Sequence, residues 1–269
     1  MKDRIHKHFK NLEEQKSIKI IFAVESGSRT WDFASKDSDY DIRFIYARPL
    51  VSYLAINSCN LKDSINFQDG LLDFAGWDLR KALTLYRKSN PAIMEWLESD
   101  IVYMDRFGLA KTLFDWRIKG GYWNEKASQY HYYHMANNNW RRYLANGTTV
   151  NHKKYLYVIR PLLSVLWSDY YHTPPPLNIT RLINHMTHTP SEHSRMTELV
   201  SKKRGGAELG GFKRQPTLDK WIEGVLEKYK SGFSGEPVKK NADELTALFL
   251  ATMTKAWGIS LDNDRLYGI

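Results

Sequence analysis

This chain contains little that would mark it as a secreted or membrane-bound protein. It has one cysteine, Cys59, in 269 residues, which excludes an internal disulfide framework and is typical of a reducing compartment. The longest apolar runs, such as residues 20–24, have the length of a strand and are far too short to cross a bilayer. The charged start, MKDRIHKHFKNLEEQK, lacks the apolar segment of a signal peptide. We therefore expect a cytoplasmic protein.

Acidic residues are outnumbered by basic ones. The 39 lysines and arginines exceed the 30 aspartates and glutamates, which gives a net charge of +9. A positive charge attracts polyanions such as nucleic acids, but it does not identify them. Internal repeats and low-complexity tracts are also absent, and the share of hydrophobic residues, 42%, is that of an ordinary globular protein.

The first part of the chain mixes strand and helix patterns. A helix is predicted over residues 4–15, and SIKIIFAVES is typical of a buried strand. DSDYDIRFIYAR alternates as a strand does, and LLDFAG predicts another short strand. WDLRKALTLYRKSNP and AIMEWLES then indicate two helices, the first of which ends at a proline. Residues 1–115 are thus predicted to form an α/β unit around a mixed sheet.

The rest of the chain has almost wholly helical periodicity. The predicted helices cover residues 126–146, 152–171, 177–186, 190–203, 217–229 and 243–259. We therefore predict an α+β protein, with a catalytic domain over residues 1–115 and a mainly helical domain over residues 116–269 that binds nucleotide or acceptor. The cleft between them is the natural place for a site.

The strongest candidate site is a set of aspartates. Asp39 and Asp41 are separated by one residue on a predicted strand, so their side chains project from the same face. Asp73, on a later strand, is placed to join them. Carboxylate oxygens are the ligands that Mg²⁺ prefers, with Mn²⁺ as the alternative ion, and phosphoryl transfer needs such ions. Asp78 competes with Asp73, although it is also suited to cap the following helix.

These residues carry a family resemblance. A strand, Gly-Ser, Asp-x-Asp and a third acid on a later strand resemble the signature of the DNA polymerase β nucleotidyltransferase superfamily. ESGSRTWDFASKDSDYDIRFIYARP, WDLRKALTLYRKSNPAIMEWLESDIVY and KKYLYVIRPLL resemble, more narrowly, a family of predicted nucleotidyltransferases linked to RNA repair. The resemblance extends through about residue 176.

The resemblance implies a role for each matching residue. Gly27 would let the backbone approach a triphosphate, and Ser28 would donate its hydroxyl to a phosphate oxygen. Asp39 and Asp41 would bind both metal ions. Asp73 would help to bind the catalytic ion and would act as base toward the acceptor hydroxyl.

The sequence departs from the family pattern in the loop between these motifs. Asp32 stands where the family has glycine, and Lys36 stands where proline is usual. The changes leave the three aspartates intact but predict an altered loop.

Several basic and aromatic residues are further candidates. Arg29 follows Ser28 and is placed to reach a phosphate, whereas Arg43 shares the face of the aspartates and is placed either to pair with them or to bind substrate. Lys153, Tyr157 and Arg160 lie on one face of a predicted helix, where they would clamp a triphosphate or form a solvated face.

Other segments fit two interpretations. Residues 129–142 are rich in hydrogen-bonding side chains and would line an acceptor groove or pack at a domain interface. The basic, glycine-rich segment 202–216 would grip RNA or form an ordinary surface loop. A metal cluster built from His172, His185, His188 and His193 is not favoured.

We expect a nucleotidyltransferase that moves a nucleoside monophosphate from an NTP to a hydroxyl, with an RNA or tRNA 3′ end as the leading acceptor. One alternative acceptor is a protein or a small molecule. The other alternative is a non-catalytic nucleic-acid-binding module. The sequence does not determine the NTP, a need for template or the oligomeric state.

Overall fold

The computed structural model describes residues 1–57, 61–145, 149–206, 212–233, 240 and 242–259. Cys59 and residues 207–211 of the predicted basic loop lie outside these ranges. In chain order the elements are α1 (Lys2–Lys16), β1 (Lys19–Ser26), β2 (Tyr40–Ala47), α2 (Leu50–Leu54), β3 (Ser64–Asp69), β4 (Leu72–Asp78), α3 (Leu79–Arg87), α4 (Pro91–Glu98), β5 (Val102–Asp105), α5 (Leu109–Ile118), α6 (Glu125–Tyr143), β6 (Thr149–Val150), α7 (His152–Tyr171), α8 (Ile179–Met186), α9 (Pro190–Arg204), β7 (Phe212–Lys213), α10 (Pro216–Lys228) and α11 (Asp243–Trp257).

Five strands form a mixed sheet in the order β3-β4-β2-β1-β5. β2 and β4 run parallel, whereas the other neighbouring strands are antiparallel. β1 and β2 lie inside the sheet and are covered on both faces, which explains their nearly continuous apolar sequences. The parallel pairing matters most, because it places the starts of β2 and β4 side by side.

Helices cover both faces of this sheet. On one face Ile5, Phe9 and Leu12 of α1 pack against Phe44 and Phe74 of the central strands. On the other face the buried side chains of α3, α4 and α5 form a second hydrophobic cluster with β1 and β2. α4 is thereby fixed beside the sheet, where it will form one wall of the site.

The helices α6 to α10 build a third cluster around α7, most of whose residues are buried. The loop between β1 and β2 contributes to it, because Phe33 is fully buried in this cluster and Trp31 packs against it. The backbone N–H of Ile179, at the start of α8, also donates to the Trp31 carbonyl over 3.1 Å. This loop therefore joins the sheet to the helical part.

The structure confirms an α+β fold with a mixed sheet, and each predicted helix is present with ends shifted by three residues at most. β3 was not predicted because it is a half-exposed edge strand with polar residues on both faces, and β5 has only four residues. The division at residue 115 stays a prediction, and α11 departs from it. Leu245 and Met253 of α11 are buried in the cluster beneath the sheet, not among the other C-terminal helices.

Among the described residues, no helix is both long enough and apolar enough to cross a membrane.

Gly76 of β4 tests the packing of the central strands. A Cβ atom at Gly76 would lie 2.1 Å from the ring of Phe44, which is fully buried. We expect Gly76→Ala to lower the free energy of unfolding by about 1–3 kcal/mol, since the ring has no space to move. In Gly224→Ala, on α10, the added methyl group meets no atom within 4 Å. That control should raise stability by up to about 1 kcal/mol through helix propensity. Urea unfolding measures both, and equal effects would contradict the close packing.

Candidate active site

A cavity of about 420 Å³ lies between the sheet and the helices α4, α6 and α7. We call it the central cavity. Ser26, Gly27, Asp41 and Arg43 line its polar end. Its remaining wall is mainly aromatic and aliphatic, with residues Trp31, Ala75, Trp77, Pro91, Ala92, Glu95, Trp96, Met135, Asn139, Leu156, Tyr157, Arg160 and Pro161. The polar end thus adjoins a largely apolar chamber with few polar groups in its wall, which is the usual construction of a small-molecule site.

Two of the predicted aspartates are direct neighbours in the sheet. The parallel register pairs Asp41 of β2 with Asp73 of β4, so their side chains leave the same face side by side. Arg43, two residues further along β2, places one guanidinium nitrogen, Nη2, 2.5 Å from Asp41 Oδ1 and 2.8 Å from Asp73 Oδ2. The two carboxylates therefore share a single positive charge.

Asp41 sits against the turn that ends β1. Gly27 has φ +65, and a Cβ atom there would lie 2.0 Å from Asp41 Oδ2, so only glycine allows this approach. Burial raises the pKa of the Asp41 carboxyl; the Arg43 guanidinium opposes this shift, and the charges of Asp73 and Asp39 add to it. A second cation would relieve the same repulsion, because the site holds more negative than positive charge.

Asp39 lies just before β2 and is exposed. Its charge reaches Asp41, as the shift in the pKa of Asp41 shows. Arg29 holds this segment by donating to the carbonyls of Ser38 over 2.7 Å and of Asp39 over 3.3 Å, while its guanidinium lies 3.6 Å from the centre of the Tyr40 ring. The structure thus gives Arg29 a loop-holding contact; its predicted contact with phosphate stays a prediction.

Ser28 follows Gly27 in the same turn and is 7% exposed. Its carbonyl accepts from the backbone N–H of Phe33 over 3.0 Å, which fixes the turn. The hydroxyl contact with a phosphate stays a prediction.

The structure shows how aspartate is accommodated at position 32, where the family pattern has glycine. It adopts φ +66, the left-handed region where glycine is at ease and aspartate is tolerated. Its carboxylate accepts from Asn178 over 3.1 Å and Thr180 over 3.3 Å, and pairs with Arg204 over 2.6 Å. These contacts tie the loop to α8 and α9 and offset the conformational cost of a side chain at this position.

Lys153, Tyr157 and Arg160, the three candidate residues of α7, have different surroundings in the structure. Tyr157 and Arg160 line the central cavity, and the charge of Lys153 partly opposes the rise that burial causes in the pKa of Asp41, so all three lie near the site. Arg160, however, is 3% exposed and donates to Glu95 over 3.0 Å. The structure thus assigns Arg160 a buried ion pair, and the predicted triphosphate clamp stays a prediction for all three residues.

Glu95 of α4 was not identified from the sequence. Its carboxylate accepts from the Trp31 indole over 2.9 Å, the Tyr132 hydroxyl over 2.8 Å and Arg160. The Arg160 guanidinium also lies 4.3 Å from the centre of the Trp31 ring. This network locks the cavity wall across three helices and the loop. The one signal was an acid inside the apolar segment AIMEWLES.

Glu25 is a second residue that the sequence did not reveal. It is fully buried in β1, and it accepts from the Asp41 backbone N–H over 2.8 Å and from the Tyr103 hydroxyl. Arg29 lies 4.0 Å away. Burial raises the pKa of Glu25, and the hydrogen bonds from Tyr103 and Asp41 oppose that shift. Glu25 is a positioning residue, since it fixes the backbone that carries Asp41.

Lys203 belongs to α9 and not to a surface loop. It is 1% exposed, and its ammonium group lies 3.3 Å from Ser35 Oγ and 3.2 Å from Ser38 Oγ. The Ser35 backbone N–H also donates to Ser38 Oγ over 3.0 Å. α9 therefore supports the turn that precedes Asp39, in which Lys36 is exposed.

Asp78 is the cap of the following helix, which was one of the two roles considered for it, and not a neighbour of Asp41 in the sheet. Its carboxylate accepts from the backbone N–H of Arg80 over 2.9 Å and caps α3. It also accepts from the Tyr53 hydroxyl over 2.9 Å.

The carboxylate end of the cavity suits a cation. Within the described ranges, no group of three or more His, Cys, Asp or Glu side chains is arranged to hold a metal ion, and this includes the histidines on and between α7 and α9. Asp41 and Asp73 nevertheless already hold a guanidinium nitrogen between them, which stands in for a positive ion. Their oxygen donors are those that Mg²⁺ and Mn²⁺ prefer, so the residues fit such an ion.

Comparison with known proteins extends this picture. A family described as the RNA repair pathway DNA polymerase beta family matches residues 1–251. A protein of Bacillus subtilis (strain 168) named "Uncharacterized protein YcgL" is 39% identical over 261 residues, which cover 96% of this chain and 98% of that protein. The family match includes every candidate residue of the central cavity.

The raised pKa of Glu25 predicts how stability depends on pH. A carboxyl whose pKa is higher in the folded than in the unfolded state binds more protons when folded, so its contribution to stability falls as pH rises. We therefore compare the unfolding free energy of wild type with that of Glu25→Gln. The wild-type value minus the variant value should fall as pH rises above 4.5, the ordinary pKa of a glutamate, and should level off above the pKa of Glu25 in the folded protein. Urea unfolding between pH 4 and about pH 9 measures it. A difference that rises with pH would contradict the buried, pKa-raised carboxyl.

Proposed function

The chain belongs to the RNA repair pathway DNA polymerase beta family, and from that premise we propose that it is a metal-dependent nucleotidyltransferase. It transfers a nucleoside monophosphate from an NTP to an acceptor hydroxyl, and the favoured acceptor is an RNA 3′ end, such as that of a tRNA. The observation that carries the proposal is the pair Asp41 and Asp73, side by side in the sheet, of which Asp41 lines the polar end of the central cavity against the Gly27 turn.

Each residue has a definite task in this reaction. Asp41 and Asp73, with Asp39 from the preceding loop, would hold Mg²⁺ or Mn²⁺. Such ions neutralise the triphosphate and align it for in-line attack when they are bound. Asp73 is 41% exposed at its side chain, so an acceptor hydroxyl is able to approach it. Gly27, without a side chain, leaves its backbone open to the triphosphate.

The chemical step balances without a covalent enzyme intermediate. The acceptor oxygen forms a bond to the α-phosphorus, and the bond from that phosphorus to the oxygen bridging to the β-phosphate breaks. Pyrophosphate leaves, and Asp73 accepts the hydroxyl proton before passing it to solvent.

The apolar part of the cavity suits a nucleoside. Its volume, about 420 Å³, lies within the range of small-molecule sites. Trp77 and Trp96 stack with ring centres 4.1 Å apart, and Tyr157 lies on the opposite, α7 side. Aromatic faces bind every base by stacking, which supports an NTP without selecting one.

Substitution of the aspartates tests the reaction. We expect Asp41→Asn and Asp73→Asn each to lower the transfer rate by roughly a hundredfold or more, because one removes a metal ligand and the other a ligand and base. Asp78→Asn is the matched control, since asparagine also caps a helix and activity should remain. The assay incubates radiolabelled NTP, Mg²⁺ and the protein with RNA, protein or small-molecule acceptors.

The acceptor that becomes labelled separates the alternatives. Label on RNA supports the favoured acceptor, whereas label on protein or on a small molecule supports the other transferase. RNA binding with no transfer to any acceptor, unchanged in Asp41→Asn, would indicate a non-catalytic binding module instead.

A basic surface beside the cavity favours an RNA acceptor. Arg141 and Arg142 near the end of α6 and Lys154 at the start of α7 have no carboxylate partner among the described residues. Lys154 lies 3.5 Å and Arg142 5.2 Å from the centre of the Tyr143 ring. The same two helices supply Asn139 and Tyr157 to the cavity wall. Basic side chains beside an aromatic ring, here the half-buried Tyr143, are typical of a site for single-stranded nucleic acid.

Removal of this surface charge tests the acceptor. The triple variant Arg141→Ala, Arg142→Ala and Lys154→Ala should bind single-stranded RNA more weakly. Its affinity should also depend less on salt, with the slope of log affinity against log salt less negative by about 2. Fluorescence anisotropy with labelled RNA at several salt concentrations measures both quantities.

The charge-matched control replaces three exposed lysines of α1 with alanine, namely Lys2, Lys7 and Lys10. α1 covers the other face of the sheet, so this control should leave the salt slope and the affinity for RNA nearly unchanged. Equal losses in the two triple variants would indicate attraction by net charge alone.

A further inference from the structure

We propose that Arg43 occupies the place of the divalent ion in the nucleotide-free protein, and that the triphosphate of the nucleotide takes over its guanidinium when the ion binds. The site then accepts the ion together with the nucleotide and resists the ion alone. This inference rests on the proposed metal-dependent function and adds a residue that controls loading of the metal site.

The contacts of Arg43 are those of a bound counter-ion. Nη2 donates to Asp41 Oδ1 over 2.5 Å and to Asp73 Oδ2 over 2.8 Å. Nη1 donates to the backbone carbonyl of Asp73 over 3.1 Å and to that of Ile42 over 3.4 Å. The side chain is 18% exposed, so water replaces little of this network. Arg43 is the group that keeps the two carboxylates stable as neighbours.

A divalent ion and this guanidinium exclude each other. An ion held by Asp41 and Asp73 would compete for the carboxylates that Arg43 occupies, and two positive charges within a few ångströms repel each other strongly in a partly buried place. An ion that arrives alone must therefore displace Arg43 and leave its charge without a partner. The displacement costs affinity for the ion.

The central cavity offers Arg43 a new partner only when a nucleotide is present. Arg43 lines the cavity, so a displaced guanidinium remains beside the space for a triphosphate. Guanidinium groups bind phosphate oxygens with paired hydrogen bonds. The other arginine in the cavity wall, Arg160, is held by Glu95, and Arg29 is held by loop carbonyls. Arg43 is thus the arginine that is placed to exchange its contacts with the aspartates for contacts with the phosphates.

The consequence is a coupling between ion and triphosphate. The triphosphate offers a partner to the Arg43 guanidinium that the ion displaces, and the ion frees that guanidinium for the triphosphate. Each ligand therefore raises the affinity of the other by the same factor. Removal of the guanidinium removes the barrier to the bare ion and also one partner of the phosphates. The coupling then falls.

Calorimetric titration of the full chain tests this coupling, with Mn²⁺ alone and with a preformed Mn²⁺–tripolyphosphate complex as probes. We expect Arg43→Gln to bind Mn²⁺ alone roughly tenfold more tightly than wild type, and to lose most of the preference of wild type for the complex. Arg43→Gln should also have a lower melting temperature in EDTA, with a larger rise on adding Mn²⁺, because its two carboxylates lack a counter-charge.

Further variants assign the effect to these atoms. Arg43→Lys, which keeps the charge but loses the fork of donors, should have a Mn²⁺ affinity between those of wild type and Arg43→Gln. The extra affinity should vanish in the double variant Arg43→Gln with Asp73→Asn. Arg48→Gln is the matched control, since Arg48 lies 3.8 Å from Asp78, away from the polar end of the cavity, and should bind Mn²⁺ like wild type.

The failures of the two proposals are distinguishable. Equal Mn²⁺ affinity in wild type, Arg43→Lys and Arg43→Gln would overturn the role of Arg43 while leaving the metal-dependent function intact. No binding of Mn²⁺ by any variant, either alone or with tripolyphosphate, would overturn both.

Discussion

The parallel pairing of β2 with β4 is the constraint on which the site depends. Its register sets Asp41 beside Asp73, and two adjacent carboxylates in a half-buried place repel each other unless a cation joins them. Arg43 supplies that cation within the protein itself. The repulsion between the two carboxylates disfavours folding, and the same concentration of negative charge suits the pair to a divalent ion.

The surrounding residues keep that pair in position. Glu25 accepts from the Asp41 backbone, and Arg29 holds the carbonyls of the segment before β2. The loop between β1 and β2 then enters the helical cluster through Phe33, and Trp31 donates to Glu95. The carboxylates and the apolar wall of the cavity are therefore joined by a continuous set of contacts through this loop.

Membership of the RNA repair pathway DNA polymerase beta family fits a site in which adjacent carboxylates face an apolar cavity. The central cavity has aromatic walls that suit any base. Arg141, Arg142 and Lys154, which have no carboxylate partner in the part of the chain that the structure describes, lie outside the cavity lining and suit an acceptor with a phosphate backbone. Nucleotide and acceptor would thus be recognised by different physical means, stacking within the cavity and charge at its edge.

The sequence by itself determined the local features: the helices, the central strands and the shared face of Asp41 and Arg43, because each follows from a period of 3.6 or 2 residues. It also favoured Asp73 over Asp78 as a partner of Asp41, because a residue on a strand, rather than one at the start of a helix, would face the other acids. Only the tertiary structure decided that Arg43 bridges two strands, that Arg160 binds Glu95 and that α11 returns to the sheet. Such contacts join residues far apart in the chain, and no local period encodes which distant partner will neutralise a buried charge or cover an apolar face.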